Sequence, residues 1–489
     1  MSNDKIEEDM EFDLTPIFRP ESAVVVGLSQ KNPFHPGNAM FTKNLMEMEV
    51  KTYGVAPKYK TIEGHKIYNS INSLPQIPDL AILAVSSRHT LPVIKEAAEF
   101  GIKGAIIVGG GFAETGKEGK KIQDEIVKIC RDNNMPFIGP NCVGVYSPPV
   151  LDTLFLPSER MTKPKSGNVA VISQSGGVLV DQFFINFAKR EIGISTAVSV
   201  GNKAMINETH LIKYFEKDPK TDVIALYLEG FNHGDGRNFC INARKSKKDI
   251  VVFSGGRTSA GKSAAGSHTG ALAADNSIMS GAFKQYSVIN PETENELRNT
   301  LKVYSMLANP FRNYSTMSIH GDKIAILSVS GGHGVLCSDL LEKYDLSLTK
   351  FTEKQKDDIG FLLNPTASKI AGLNNPIDIT GSGGNEDIVN ILEYLLNQNN
   401  IEMVLILIVP QVPQLLMTLG RDIVNLGNKY KKPIVGYVPW TEKFGLIREA
   451  LELNHIPCGN TIEEAVQMAA AIKLKGEGGI RKKFSHNSL

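Results

Sequence analysis

Apolar runs of strand length alternate with helical stretches of about 10 to 15 residues along almost the whole chain, the periodicity of βαβ units laid on parallel sheets. The fold class is therefore α/β. Near the amino end, strands are expected at residues 23–26, 51–55, 80–85, 105–108 and 136–138, with crossover helices at 41–48, 90–100 and 119–132. That set makes one doubly wound, Rossmann-like domain. Residues 146–165 carry four prolines and no clear periodicity, and read as a linker.

Beyond the linker the pattern repeats itself. Residues 168–182, NVAVISQSGGVLVDQ, and 323–339, KIAILSVSGGHGVLCSD, each give a buried strand, then Ser-x-Ser-Gly-Gly, then an apolar helix. Further on, TDVIALYLEG from 221 corresponds to IEMVLILIVP from 401, and DIVVFSGGRT from 249 to KPIVGYVPWT from 432, in the same order. Two flavodoxin-like copies are thus predicted after the first domain. The divisions are 1–147, 148–310 and 311–475, with a polar connector near 308–322 and a tail at 476–489 that lacks periodicity.

Composition narrows the function classes. The 489 residues carry 53 Lys and Arg against 52 Asp and Glu, a formal net charge of +1, with 7% aromatics and one Trp. Such a chain has little electrostatic footprint for a phosphodiester backbone and few rings on which bases stack, so nucleic acid is not an expected partner. No stretch of about 18 uninterrupted apolar residues occurs and the amino end is acidic, which predicts a soluble, cytoplasmic protein with no membrane partner. Five scattered cysteines form no CxxC pair, so neither a disulfide framework nor a structural metal site is expected.

The turn after the first strand holds Gly27 and Gly37 ten residues apart and does not match G-x-G-x-x-G. Where a dinucleotide enzyme carries an acidic residue for the ribose diol, this chain has Pro57 and Lys58. An ammonium there suits a phosphorylated nucleotide, which leaves NADP and coenzyme A open, as it leaves a lysine that merely snorkels. The turns at Ser86 and at 109–114 also lie at carboxyl ends of strands.

A strand running through Ser-Gly-Gly into a helix is a generic anion cradle, because free backbone N–H groups and the helix dipole face the ligand. Ser175, Gly176 and Gly177 form one such element and Ser330, Gly331 and Gly332 the other, with His333 inside the second. The Gly201-Asn202 turn adds a small donor-rich loop. Only the first copy continues into a Gly-, Ser- and Ala-rich segment, 255–276, expected to be a loop and carrying His268 between Ser267 and Thr269. A neutral imidazole attacks phosphorus readily, and a carboxylate on its other nitrogen stabilises the cation that forms. Glu229 ends a core strand that the second copy finishes with Val409, so it is the carboxylate candidate.

The motifs GPNCVG from 139, VISQSGG from 171, SVGN from 199, YLEG from 227, SHTGAL from 267, SVSGG from 328 and NPIDIT from 375 together resemble a known family. They are similar to the α-type part of the NDP-forming acyl-CoA synthetases, relatives of succinyl-CoA synthetase, and most of all to ADP-forming acetate–CoA ligase α subunits. The resemblance runs from about residue 22 to 475. It implies a CoA-binding domain followed by two ligase domains, a phosphorylated His268 held by Glu229, and phosphate cradled by the two Ser-Gly-Gly elements. It also implies that Gly27, Ser29, Pro57, Lys58, Ser86 and Glu114 lie in the loops that hold CoA. The family usually continues the Gly-Asn turn into an acidic residue, and here Met205 stands in that place.

The reaction so implied is acyl-CoA, phosphate and ADP giving free acid, CoA and ATP, through an acyl phosphate and a phosphohistidine. The part of the family that this chain resembles brings no ATP-grasp-like domain to hold ADP and its magnesium. A separate ATP-grasp β chain, in an α2β2 assembly, is the implied partner, and a small organic acid the implied substrate. An NADP-dependent oxidoreductase would leave the duplicated cradle without a use. A non-catalytic CoA-binding regulator would be expected to have lost the histidine that this chain keeps.

Overall fold

The computed structural model describes residues 11–232, 234–269, 276–308, 323–430 and 432–486. The chain forms two compact units, Met1–Asn290 and Pro291–Leu489.

The first unit contains two sheets. One has seven strands in the order Thr61–Ile62, His65–Tyr68, Lys51–Val55, Ser22–Val26, Leu80–Leu83, Gly104–Ile107 and Phe137–Ile138, parallel except at the short hairpin formed by the first two. Its central strands have no polar face. Val24, Val25, Ile82, Leu83, Ile106 and Ile107 are all completely buried, as a parallel sheet covered by helices on both sides demands. Helices Pro36–Met46, Ser87–Phe100 and Lys117–Asp132 supply that cover, each close to its expected position.

The expected strands are all present; the hairpin at 61–68 is an addition. The second sheet runs Asp249–Ser254, Val223–Leu228, Ser166–Ser173, Ile194–Ser199, Val145–Ser147 and Leu151–Asp152. Its last two strands fall, but for Val145, within the stretch read as a linker and add antiparallel to the sheet edge. Strands this short carry no readable period. The buried Lys43 of helix Pro36–Met46 donates to Asp152 at 2.9 Å, tying this edge to the first sheet's helical layer.

The second unit repeats the second sheet's plan. Lys323–Ser328 pairs with Met403–Leu407, which pairs with Ile434–Tyr437, as Ser166–Ser173 pairs with Val223–Leu228 and that with Asp249–Ser254. Helix Glu294–Leu307 belongs to this unit, where Asn299 donates to Gln467 of the final helix at 2.6 Å. That final helix, Ile462–His486, carries its backbone through most of the expected tail. The polar connector, 308–322, lies outside the described residues from 309 onwards.

All five cysteines are buried and free, and burial pushes the thiols of Cys130, Cys142, Cys337 and Cys458 up to about 12. They pack as small apolar side chains. Among the described residues, no helix is long and apolar enough to cross a membrane.

Candidate functional site

The spacing of Gly27 and Gly37 acquires a physical meaning in the fold. Gly27 has φ +96°, and a Cβ on Gly37 would lie 1.8 Å from the Gly27 carbonyl oxygen. Strand and helix therefore touch backbone to backbone at the start of the loop that holds Ser29. Ser29 N–H donates to Asn38 Oδ1 at 3.0 Å, and Asn38 Nδ2 returns a bond to Ser29 O at 2.7 Å, which fixes the loop. Pro57 and Lys58 are exposed after Lys51–Val55, and Ser86 is exposed ahead of helix Ser87–Phe100 with its hydroxyl 3.1 Å from His89 Nδ1. These residues share the carboxyl edge of the sheet, where ligands of open α/β sheets sit. Gly37→Ala is expected to cost about 2–3 kcal/mol of stability through overpacking against main chain and to weaken CoA binding, read by urea melting and calorimetry.

Glu114 is held from two directions. Its Oε1 accepts from the N–H groups of Gly111 (2.6 Å) and Phe112 (3.1 Å), and its Oε2 accepts from Asn202 Nδ2 at 2.6 Å. Partial burial works against the carboxylate, yet these donors, Asn202 first, keep its pKa below the usual range. A residue expected to face CoA and one expected to face phosphate are thereby joined. Asn202 also donates to Gln123 Oε1 at 3.1 Å. The turn itself is obligatory: Gly201 has φ +57°, and a Cβ there would sit 2.2 Å from Pro140 O.

In each cradle the two glycines do different things. A Cβ on Gly176 would lie 1.9 Å from Val143 Cγ2, whereas one on Gly177 would meet nothing nearer than Ser175 Oγ at 4.0 Å. Likewise a Cβ on Gly331 would lie 2.7 Å from Asp378 Oδ2, and one on Gly332 would meet nothing within 4 Å. The first glycine permits packing and the second leaves an open approach. Ser175 caps its helix, Oγ accepting from Val178 N–H at 3.4 Å, and the helix passes through a π segment, Leu179–Ile185. Ser330 instead spends its hydroxyl on His333 Nδ1 at 2.9 Å, and the His333 ring packs 5.6 Å from that of Tyr437. His333 is thus an anchored part of the second cradle. A cavity of about 240 Å3 beside it is lined by Ser328, Ser330, Gly331, Asp339 and Asp378, so two carboxyl side chains stand at the second cradle.

Glu229 follows strand Val223–Leu228 and is gripped by its neighbours. Its N–H donates to Gln174 Oε1 at 2.9 Å, and the Tyr227 hydroxyl donates to its Oε1 at 3.4 Å. Burial, reinforced by the Glu229 charge, pushes the Tyr227 hydroxyl up to about 12, so it stays a donor at every physiological pH. Gly255 makes room for this pair: a Cβ there would lie 2.7 Å from Tyr227 Oη and 3.5 Å from Glu229 Cγ. Gly255 follows the neighbouring strand, and a few residues later the chain enters helix Ser259–Thr269, which bears His268. The side chain of His268 lies outside the described residues.

The backbone of 259–269 is helical where a loop was expected. Ala260, Ala264 and Ala265 favour that state, and Thr258 Oγ1 accepts from Gly261 N–H at 3.1 Å. Residues 270–275 of the same segment are outside the described residues.

Gln174, Tyr227 and Lys203 are partners that the sequence reading did not single out as site residues. Gln174 and Tyr227 stood inside quoted motifs, a signal that was available. Lys203 gave none. Met205, which occupies the place of the expected carboxylate, is buried among apolar residues. The positive side chain beside it finds its acid in Glu208 instead.

A family described as a CoA binding domain matches residues 21–148, and one described as a succinyl-CoA ligase like flavodoxin domain matches residues 166–304. The fold and its carboxyl-edge loops are thus those of a CoA-dependent ligase of the succinyl-CoA synthetase type. The chain is 33% identical over 479 residues to the α subunit of acetate–CoA ligase [ADP-forming] II of Pyrococcus furiosus, covering 94% of this chain and 98% of that one. It is 30% identical to 4-hydroxybutyrate–CoA ligase [ADP-forming] of Nitrosopumilus maritimus, covering 94% of this chain and 64% of the relative. Among solved structures, dinucleotide forming acetyl-coenzyme A synthetase 1 of Ca. Korarchaeum cryptofilum, in complex with phosphate and ADP, matches with a TM-score of 0.84 and 29% identity. That match covers 98% of this chain and 99% of the other. The chain belongs to the family of ADP-forming acetate–CoA ligase α subunits.

Proposed function

We propose that this chain is the CoA- and histidine-bearing α subunit of an NDP-forming acyl-CoA synthetase, interconverting acyl-CoA, phosphate and ADP with free acid, CoA and ATP. A phosphate oxygen attacks the thioester carbonyl and the CoA thiolate leaves, giving an acyl phosphate. The imidazole of His268 then attacks phosphorus, and the carboxylate of the acid leaves. ADP finally takes the phosphoryl group from His268 and restores the neutral ring. Each step needs one anion oriented and the others kept from repelling it, which is the work of backbone donors.

In this reading the loops of Gly27, Ser29, Pro57, Lys58, Ser86 and Glu114 take CoA. Ser175, Gly176, Gly177, Gly201 and Asn202 take the phosphate, approached over the open face of Gly177, and Ser330, Gly331 and Gly332 form the corresponding element of the second unit. ADP and its magnesium are assigned to an ATP-grasp β chain in an α2β2 assembly, a division supported by relatives that are themselves named α subunits. A three-part division close to 1–147, 148–310 and 311–475, with helix Glu294–Leu307 going to the later unit, and a cytoplasmic setting, consistent with five buried free thiols, complete the proposal. The acid is a small organic acid.

The observation that carries this reading is the carboxylate at the end of Val223–Leu228. Glu229 is oriented by Gln174 and Tyr227 beside the strand that leads to His268. A hydrogen bond to a charged partner contributes about 1.5–3 kcal/mol, so Glu229→Gln is expected to lower turnover and the phosphorylated fraction roughly 10- to 100-fold. CoA affinity should stay within a factor of about two. The assay is phosphoprotein formation from labelled ATP with the β partner present, and full labelling of the variant would remove Glu229 from the mechanism.

A further inference from the structure

Lys203 is a buried cation with a specific task. It follows Asn202 directly, adopts φ +52°, a left-handed conformation that a long side chain seldom takes, and is only 7% exposed. Its Nζ donates to Glu208 Oε1 at 2.6 Å and to the carbonyl oxygen of Gly230 at 3.0 Å. Glu208 opens helix Glu208–Lys217 and is 1% exposed, and its Oε2 is buried with no hydrogen-bond partner among the described residues. Folding alone does not call for this arrangement, since a buried ion pair contributes no more than well-packed apolar side chains of the same volume.

The location explains it. Gly230 is the residue after Glu229, so the backbone is clamped on either side of the residue that carries the carboxylate: Glu229 N–H by Gln174, Gly230 C=O by Lys203. The other end of the same clamp is the Gly201-Asn202 turn, whose amide holds Glu114. One lysine therefore registers the phosphate-facing turn against the carboxylate.

We infer that Lys203 is a positioning residue for phosphoryl transfer, setting Glu229 through the Gly230 carbonyl, with Glu208 as the counter-charge that lets it be buried. The inference rests on the reading of Glu229 as the support of the phosphohistidine. An error of about 1 Å in such a group can cost on the order of a hundredfold in rate.

Removing Lys203 alone would strand the Glu208 charge and threaten folding, so the test uses Lys203→Met/Glu208→Met, which replaces the pair by apolar volume. Assembled with the β partner, this enzyme is expected to keep its melting temperature within about 5 °C and its KM for CoA within about twofold. Its kcat and phosphorylated fraction should fall roughly tenfold or more. A well-folded double variant with unchanged kcat would overturn the inference, as would a variant that loses kcat and stability together. Glu229→Gln is measured alongside. Should it keep full phosphorylation, the Glu229 reading fails first; should it lose phosphorylation while the double variant does not, only the role of Lys203 is withdrawn.

Discussion

His268→Asn is expected to abolish the phosphorylated form of the enzyme and to reduce net ATP formation by at least about a thousandfold, the scale on which loss of a covalent nucleophile is felt. Asparagine approximates the shape of the imidazole and keeps a hydrogen-bonding edge, but it has no basic lone pair to attack phosphorus. The phosphoryl group then has nowhere to go between acyl phosphate and ADP. Labelled ATP and magnesium, with the β partner, should give wild-type protein an acid-labile, base-stable label and the variant none. Persistent label at normal stoichiometry would assign the intermediate to another residue.

The second large effect concerns nucleotide. The purified chain is expected to bind CoA in the micromolar range yet neither to bind ATP measurably nor to phosphorylate itself. A triphosphate with magnesium calls for a lysine and a hydroxyl facing the phosphates from a glycine-rich loop. Residues 256–263, GRTSAGKS, have that spacing, but the helix that starts at Ser259 takes in Gly261, Lys262 and Ser263, so they form no loop around a phosphate chain. Neither cradle supplies the lysine and hydroxyl: Ser175 Oγ caps its own helix, Ser330 Oγ is taken by His333, and the second cradle has Asp378 against its first glycine. A helix terminus can accommodate one phosphate but leaves the charge of three largely unneutralised. Adding an ATP-grasp β chain should restore both activities. Micromolar ATP binding to this chain by itself, seen in calorimetry, would contradict the division of labour.

The sequence made the architecture legible because the signals were long and local. Central strands such as Leu80–Leu83 and Met403–Leu407 are unbroken apolar runs, and the two Ser-Gly-Gly turns betray the duplication through identical punctuation at equivalent strand ends. The edge strands Val145–Ser147 and Leu151–Asp152 were missed, since two or three residues cannot display a period and the prolines around them argue for a loop. The segment around His268 was misjudged for a related reason: small residues suit a loop, but its alanines also favour helix. Glu229 could be picked out by comparing the copies. Its grip by Tyr227, Gln174 and Lys203 could not, because those contacts join three separate stretches of chain and one depends on a left-handed lysine that no residue type announces.

The central claim is that phosphate attacks the thioester to become an acyl phosphate whose phosphoryl group reaches ADP, and oxygen labelling tests it most directly. The chain and its β partner are supplied with ADP, magnesium, phosphate labelled with 18O at all four oxygens, and a panel of acetyl, branched, aryl and dicarboxylic acyl-CoA thioesters. For any thioester that turns over, mass spectrometry should find one labelled oxygen in the released acid and three on the terminal phosphate of ATP, because the bridging oxygen stays with carbon when His268 takes phosphorus. Unlabelled acid, or no ATP from any member of the panel, would contradict the account.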